Sequence, residues 1–361
     1  MRQINVTKTY LPELGIYNEY LKRIWNSGWV TNNGPCVQEL EMKLKKYLGV
    51  KYLYLVSNGT LGLQIAIKAL GLKGEVITTP FSYVATSSSL VWEGCKPVFA
   101  DIKPGTLDID PAKIEAAITK KTSAILAVHI YGNSCDVARI NNISKKYKLK
   151  IIYDAAHAFG VKYKDKYIGN YGDISVFSLH ATKIFHTGEG GIVATNSSRL
   201  AKKLSYLRNF GHKWPEEGFQ GVGINAKMSE LNAAMGLSVL PKVNFLINKR
   251  KKVVQLYDRL ISKLPLEKLI LKEGLVWNYS YYPVVFETES KLLEVVKHLN
   301  KNNIFPRRYF YPALNELSYV ECRECPIAEN VSKRIICLPL HHDLSEFEVK
   351  KIVMLIKEKL K

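Results

Sequence analysis

The sequence predicts an α/β fold: a mostly parallel sheet flanked by helices, with a smaller α+β domain at the C-terminal end. Short β-branched and aromatic runs at 52–56, 75–79, 97–102, 123–131, 150–153, 174–179 and 191–195 carry the first part of that prediction. Helix-like segments near Leu61, Ser87, Pro111 and Val137 separate the first five runs. Such alternation makes right-handed crossovers and parallel neighbours. The last two runs follow each other after short turns, so one of them is free to run antiparallel.

Before the first strand, residues 17–48 read as two helices around WVTNNGPC, where Gly28, Asn32, Asn33 and Gly34 break the pattern. From Ser198 the chain reads as mostly helical to Leu264, and the charged stretch 249–252 marks a division into a large domain (1–248) and a small one (249–361). The small domain is predicted to hold a strand at 279–286, a helix at 290–302, strands near 305–310 and 334–338, and a last helix from Glu346. A chain of 361 residues with 47% hydrophobic content can bury the cores that two domains need.

The totals narrow the function. No apolar run approaches the length of a membrane span, and MRQINVTKTYLPELG lacks a signal-type core, so the expectation is a cytoplasmic protein with no membrane partner. Cys36, Cys95, Cys135, Cys322, Cys325 and Cys337 have no framework spacing and read as reduced thiols. Cys322 and Cys325 form a CxxC, but no second pair accompanies it and His341 and His342 are adjacent, so no metal site is predicted. A formal charge of +20 raises nucleic acid as a partner. The lysines, however, are dispersed along helices as pairs with no base-stacking aromatics between them. They predict a solvated basic surface, one that also attracts substrates carrying a diphosphate.

The stretch that organises the chemistry is FSLHATKIFHTGEGG, residues 177–191. A lysine that is to attack an aldehyde must shed its proton near neutral pH, which takes a partly desolvated site. Lys183 has that setting, between Ser178 and Thr182 on one side and Thr187 with a glycine-rich run on the other. Upstream, KIIYDAAHAFG reads as a buried strand that ends on Asp154, the position where open α/β sheets place their ligands. A buried carboxylate needs a cationic partner. A pyridinium nitrogen supplies one, and an Asp for the ring with a Lys for the aldehyde is what pyridoxal phosphate requires. A third stretch, YLVSNGTLGLQIAIKAL, breaks from strand to helix at Ser57, Asn58, Gly59 and Thr60, where free amides and the helix dipole suit a phosphate.

Taken in order, SNGT with its helix, TTPFSYVATSSS, DAAHAFG, SLHATK with GEGG, and GINAKMSELNAAMGL resemble the DegT/StrS family of nucleotide-sugar aminotransferases, which are fold-type I pyridoxal phosphate enzymes. The resemblance runs from about Ile4 through Leu344. It implies that Lys183 anchors the cofactor and moves a proton between it and the sugar carbon, and that Asp154 holds the pyridine nitrogen protonated. Gly59, Thr60 and Ser178 are implied to hold the phosphate, Tyr83 to stack on the ring and His157 to bond its phenolic oxygen. The alternatives are a core tyrosine and a packed loop histidine. Asn225 matches an asparagine that reaches across a homodimer interface to the partner's cofactor phosphate. Trp29 and Thr31 of WVTNNGP, with Arg308 and Tyr311 of RRYFYPALN, are implied to meet the sugar nucleotide. His180 and His186 flank the lysine, and packing alone would explain either.

Within the family the wording is nearest to the branch that aminates dTDP-4-keto-6-deoxy-D-glucose at C4 from L-glutamate, for O-antigen or related sugars. A 3-keto sugar, or a UDP- or GDP-linked one, is the alternative. Sugar dehydratases of this fold replace the anchoring lysine with histidine, and Lys183 stands against that reading.

Overall fold

The computed structural model describes residues 2–213 and 216–360. Two helices come first, α1 (Leu14–Ser27) and α2 (Pro35–Leu48), and each ends on a glycine in the left-handed conformation. The central sheet then unfolds as β1 (Tyr52–Val56), α3 (Gly59–Leu70), β2 (Glu75–Thr78), α4 (Ala85–Trp92), β3 (Lys96–Phe99), α5 (Pro111–Ala116), β4 (Thr122–Val128), α6 (Val137–Tyr147), β5 (Lys150–Asp154), β6 (Ile174–Ser178) and β7 (Gly191–Thr195). Across the sheet the order is β1-β7-β6-β5-β4-β2-β3. β7 runs antiparallel to both neighbours, and every other pairing is parallel. The antiparallel member of the last pair is therefore β7.

The middle strands are covered on both faces, as a parallel sheet requires. Leu126, Val128 and Ile152 join one core cluster, and their neighbours Ile125, Ala127, Ile151 and Tyr153 join another. Helix starts are fixed locally. The Asn58 side chain accepts from the Leu61 amide at the head of α3, and Asp136 does the same for Arg139 at the head of α6.

The stretch expected to be helical from Ser198 divides. After α7 (Ser198–Leu207) comes an irregular segment, and helix resumes only with α8 (Glu230–Val239) and α9 (Val243–Ile261). Glycines are the reason: a Cβ on Gly211, whose φ is +82°, would lie 1.8 Å from the Gly221 carbonyl oxygen. Positions 214 and 215 of this span lie outside the described residues. α9 crosses from the second core cluster, through Val243, to the third, through Val253, Leu256 and Tyr257. The expected division at 248/249 thus falls inside a continuous helix.

The third cluster belongs to β8 (Tyr282–Val285), α10 (Glu289–Lys301), β9 (Ile335–Leu338) and α12 (Glu346–Leu360), with β8 antiparallel to β9, while α11 (Pro326–Arg334) packs into the first cluster through Ala328 and Val331. The strand expected near 305–310 shrinks to Ile304–Phe305, paired in parallel with Ile4–Asn5. Pro306 offers no amide to continue it. Among the described residues no helix is long and apolar enough to cross a membrane.

One buried acid ties the N-terminal helices to this frame. Glu230 of α8 is fully buried, and its carboxylate accepts from the amides of Gly34 at 3.0 Å, Cys36 at 2.8 Å and Val37 at 2.9 Å, capping α2 from another element. Glu230→Ala should leave those donors unpaired and cost about 2 kcal/mol or more. We expect a melting temperature lower by a few degrees; an unshifted melting curve contradicts the assignment.

Candidate active site

A cavity of about 290 Å³ opens where the C-terminal ends of β5 and β6 meet the start of α3. Gly59, Thr60, Tyr83, Asp154, His157, Ser178 and Lys183 all line it. Trp29, Thr31, Asn225, Arg308 and Tyr311 do not. A wider hollow of about 380 Å³ around Pro104, Lys268 and Arg334 gathers no comparable set.

Asp154 ends β5 and is 7% exposed. Oδ1 accepts from the Ala156 amide at 3.0 Å, and Oδ2 from the Thr86 hydroxyl at 2.9 Å, which Ser82 meets in turn at 2.8 Å. Burial raises the carboxyl above the ordinary range despite these bonds and the nearby charge of Lys183. It is a carboxylate held ready for a cation. Lys183 is its counterpart: burial lowers the ammonium to about 8, with Asp154 and Tyr83 pulling the other way. The Lys183 Nζ lies 3.4 Å from the Tyr281 hydroxyl, and burial pushes that phenol up, so it stays protonated.

His157 lies buried with its ring parallel to Phe310, the centroids 5.7 Å apart. Burial and then the Lys183 charge drive its pKa well below the ordinary value, so the imidazole is neutral. Nδ1 accepts from the Tyr131 amide at 3.2 Å, which leaves the proton on Nε2 as a donor. Across the cavity, the Gly59 and Thr60 amides open α3 with no acceptor inside the helix, beside the Ser178 side chain. Tyr83 stands 56% exposed at the rim.

The two histidines beside the lysine part company. His186 is packed, with Nε2 2.7 Å from the Tyr10 carbonyl oxygen and Nδ1 accepting from the Gly188 amide. His180 lines the cavity, 3.6 Å from Glu189. Thr86, Tyr281, Arg307 and Tyr309 also belong to the site or its support and were not singled out from the sequence. Only Thr86 had a local signal, a hydroxyl one helical turn beyond Ser82. The segment around Asn225 and the WVTNNGP loop lie together at the surface: Asn32 bridges Ser229, and the Thr31 carbonyl accepts from the Glu230 amide at 2.9 Å.

A buried acid at a strand end, a lysine of lowered pKa and an anion-binding helix start fit pyridoxal phosphate: Asp154 for the ring nitrogen, Lys183 for the aldehyde, Gly59 and Thr60 for the phosphate. Sheet and cavity together define a pyridoxal phosphate-dependent aminotransferase of fold type I. The chain belongs to the DegT/DnrJ/EryC1/StrS aminotransferase family, whose profile matches residues 16–357. It is 44% identical to the dTDP-4-amino-4,6-dideoxy-D-glucose transaminase of Shigella dysenteriae and 40% identical to that of Escherichia coli, with 99% of each chain covered in both cases. The structure of DesI solved in the presence of its TDP-sugar product is 32% identical and superposes with a TM-score of 0.94, over 99% of this chain and 93% of that one.

A lysine lowered to about 8 is charged below that pH and nucleophilic above it. Uptake of pyridoxal phosphate by the apo-protein, followed as growth of a visible band, should therefore accelerate as pH rises through about 8. Lys183→Ala should leave no borohydride-fixed cofactor by mass. A rate that is flat across that pH, or a fixed cofactor in the variant, refutes the assignment.

Proposed function

We propose that this chain moves the amino group of L-glutamate to C4 of dTDP-4-keto-6-deoxy-D-glucose, in the cytoplasm, for O-antigen or a related surface sugar. The observation that carries the proposal is the meeting of Lys183, Asp154 and the start of α3 in one cavity. The 44% identity to a transaminase of that specificity supports the substrate.

Pyridoxal phosphate, when bound, supplies an electron sink for bond changes at the amine-bearing carbon. The residues of the chain do the rest. Asp154 balances a positive ring nitrogen, and His157 Nε2 offers a proton to the phenolic oxygen. The α3 amides, with Thr60 and Ser178, hold the phosphate, and Tyr83 covers a ring face. Nζ of Lys183, neutral once its proton is lost, accepts a proton from the donor's α-carbon and returns it at the sugar's C4 in the second half of the cycle. The Tyr281 hydroxyl orients that amine.

The same proposal includes a homodimer. Phe219, Val222 and Ile224 are 68%, 91% and 41% exposed on the segment that carries Asn225, which is more apolar surface than a lone protomer normally leaves bare. A two-fold contact there would lend each Asn225 to the other subunit's cofactor phosphate, and would bring Trp29 and Thr31 to the partner's substrate. We also keep 1–248 as the cofactor domain and 249–361 as the smaller domain that closes over it.

Incubation with glutamate and a panel of keto-sugar nucleotides, with the new amine located by NMR, tests the reaction. Amine at C4 of the dTDP sugar is expected; amine at C3, or turnover of UDP or GDP sugars alone, refutes the specificity. For the shared site, Lys183→Ala and Asn225→Ala chains should each be nearly inactive and recover part of the activity when co-expressed. Hybrids as inactive as their parents would mean that Asn225 acts within its own chain or not at all.

A further inference from the structure

Arg307 and Arg308 are neighbours in sequence and opposite in circumstance. The guanidinium of Arg308 pairs with Glu289 at 2.6 Å, donates to the Lys333 carbonyl at 2.9 Å and lies 3.5 Å over the Tyr311 ring. Its Nη2 is thus committed within the chain, and the residue does not line the cavity. Arg307 lines the cavity instead, its guanidinium 5.1 Å over the Tyr309 ring, with no carboxylate partner among the described residues. Its backbone is fixed by an exchange of hydrogen bonds with Cys337 of β9, at 3.2 and 2.8 Å. The cavity thus holds one guanidinium, well anchored and uncompensated.

The other charged groups of the cavity have companions. Asp154 and Lys183 act on each other, and Glu189 lies 3.6 Å from His180. Arg307 is separated from the lysine by two packed rings: Tyr309 meets Tyr281 edge-on at 5.4 Å, and the Tyr281 hydroxyl reaches Nζ.

A transaminase must admit two substrates to one cavity in turn, and both carry oxyanions. They place them differently. A keto-sugar nucleotide brings an uncharged hexose to the reacting centre, with its diphosphate on the far side of the ring. An α-amino acid cannot bring its nitrogen there without bringing its α-carboxylate into the same cavity, two bonds away. Such a carboxylate needs a cation with donors where it comes to rest, and Arg307, an exposed residue, presents one at the wall of the cavity. We propose that Arg307 is the receptor for the carboxylate of the amino donor, its planar fork binding both oxygens. It is a positioning residue, and the inference rests on the transaminase function proposed above.

The test uses the holoenzyme and its Arg307→Gln and Arg307→Lys variants. The Arg307 side chain makes no hydrogen bond or ion pair among the described residues, so both should fold, as melting curves will verify. Three quantities are read: calorimetric binding of glutarate, saturation by glutamate of the donor half-reaction seen in the visible band, and KM for the sugar nucleotide. Arg307→Gln should weaken glutarate and glutamate roughly tenfold or more, and Arg307→Lys should recover part of the loss. KM for the sugar nucleotide should stay within about threefold of the parent. A raised sugar-nucleotide KM with unchanged donor affinity would instead assign Arg307 to the diphosphate and overturn the proposal. So would variants that bind both substrates like the parent. If the parent itself shows no spectral change with glutamate, the transaminase function falls, and this inference with it.

Discussion

A carboxylate buried at the end of a doubly covered strand is the constraint from which the site follows. Asp154 has two hydrogen bonds, too few to hold its charge in the ordinary range against burial. The charge that helps it within the chain is that of Lys183. Yet burial also pushes Lys183 toward the neutral form, which is the form that reacts. The two demands conflict: Asp154 is stabilised by a lysine that is charged, and chemistry needs one that is not. In the proposed reaction a cationic ring nitrogen would resolve the conflict by pairing with the acid in place of the lysine. Burial is the larger influence on both groups and pushes each toward its neutral form, and the charge of each offsets that only in part for the other.

Topology brings the other groups to that acid. Inserting antiparallel β7 between β1 and β6 puts the end of the lysine loop against the start of α3, so closely that a Cβ on Gly191 would lie 2.7 Å from the Asn58 carbonyl carbon. The start of α3 and the lysine loop are thereby held at a fixed spacing by backbone packing. On the far side of the loop, the Asn232 side chain of α8 donates to the Thr187 carbonyl at 2.8 Å. Two residues earlier, Glu230 caps α2. The same short helix thus steadies the lysine loop and the surface segment that carries Trp29 and Thr31.

What could be read from the sequence was what is written locally. The strands of the sheet, the acid closing β5, the lysine in its glycine-flanked loop and the Asn58 cap each depend on residues adjacent in the chain, and each is where the pattern puts it. Tyr281 could not be picked out among 21 tyrosines, because its importance comes from Lys183, ninety-eight positions away. The choice between Arg307 and Arg308 was equally hidden. Pro306 ends the short strand, and pairing with Cys337 then decides which arginine faces the cavity and which turns to Glu289. The segment after α7 departs from the expected helix because of glycines whose close backbone approach is visible only in three dimensions.

Charge acts at two ranges here, and they do different work. A formal charge of +20 surrounds the protein with a field attractive to any anion, but at physiological salt that field decays over about 8 Å. Exposed lysines therefore speed the encounter with a sugar diphosphate or a dicarboxylate and distinguish poorly between them. Discrimination falls to groups within the cavity, where low dielectric strengthens each contact and an unmatched charge is costly. Asp154 accepts only a cation, the α3 amides only an anion, and the hexose must find neutral partners between them. An enzyme whose two substrates share a site can separate them only if their charges come to rest at different points. The cavity meets that condition with an anion site at one end, an acid in the middle and an unpaired guanidinium on the remaining wall.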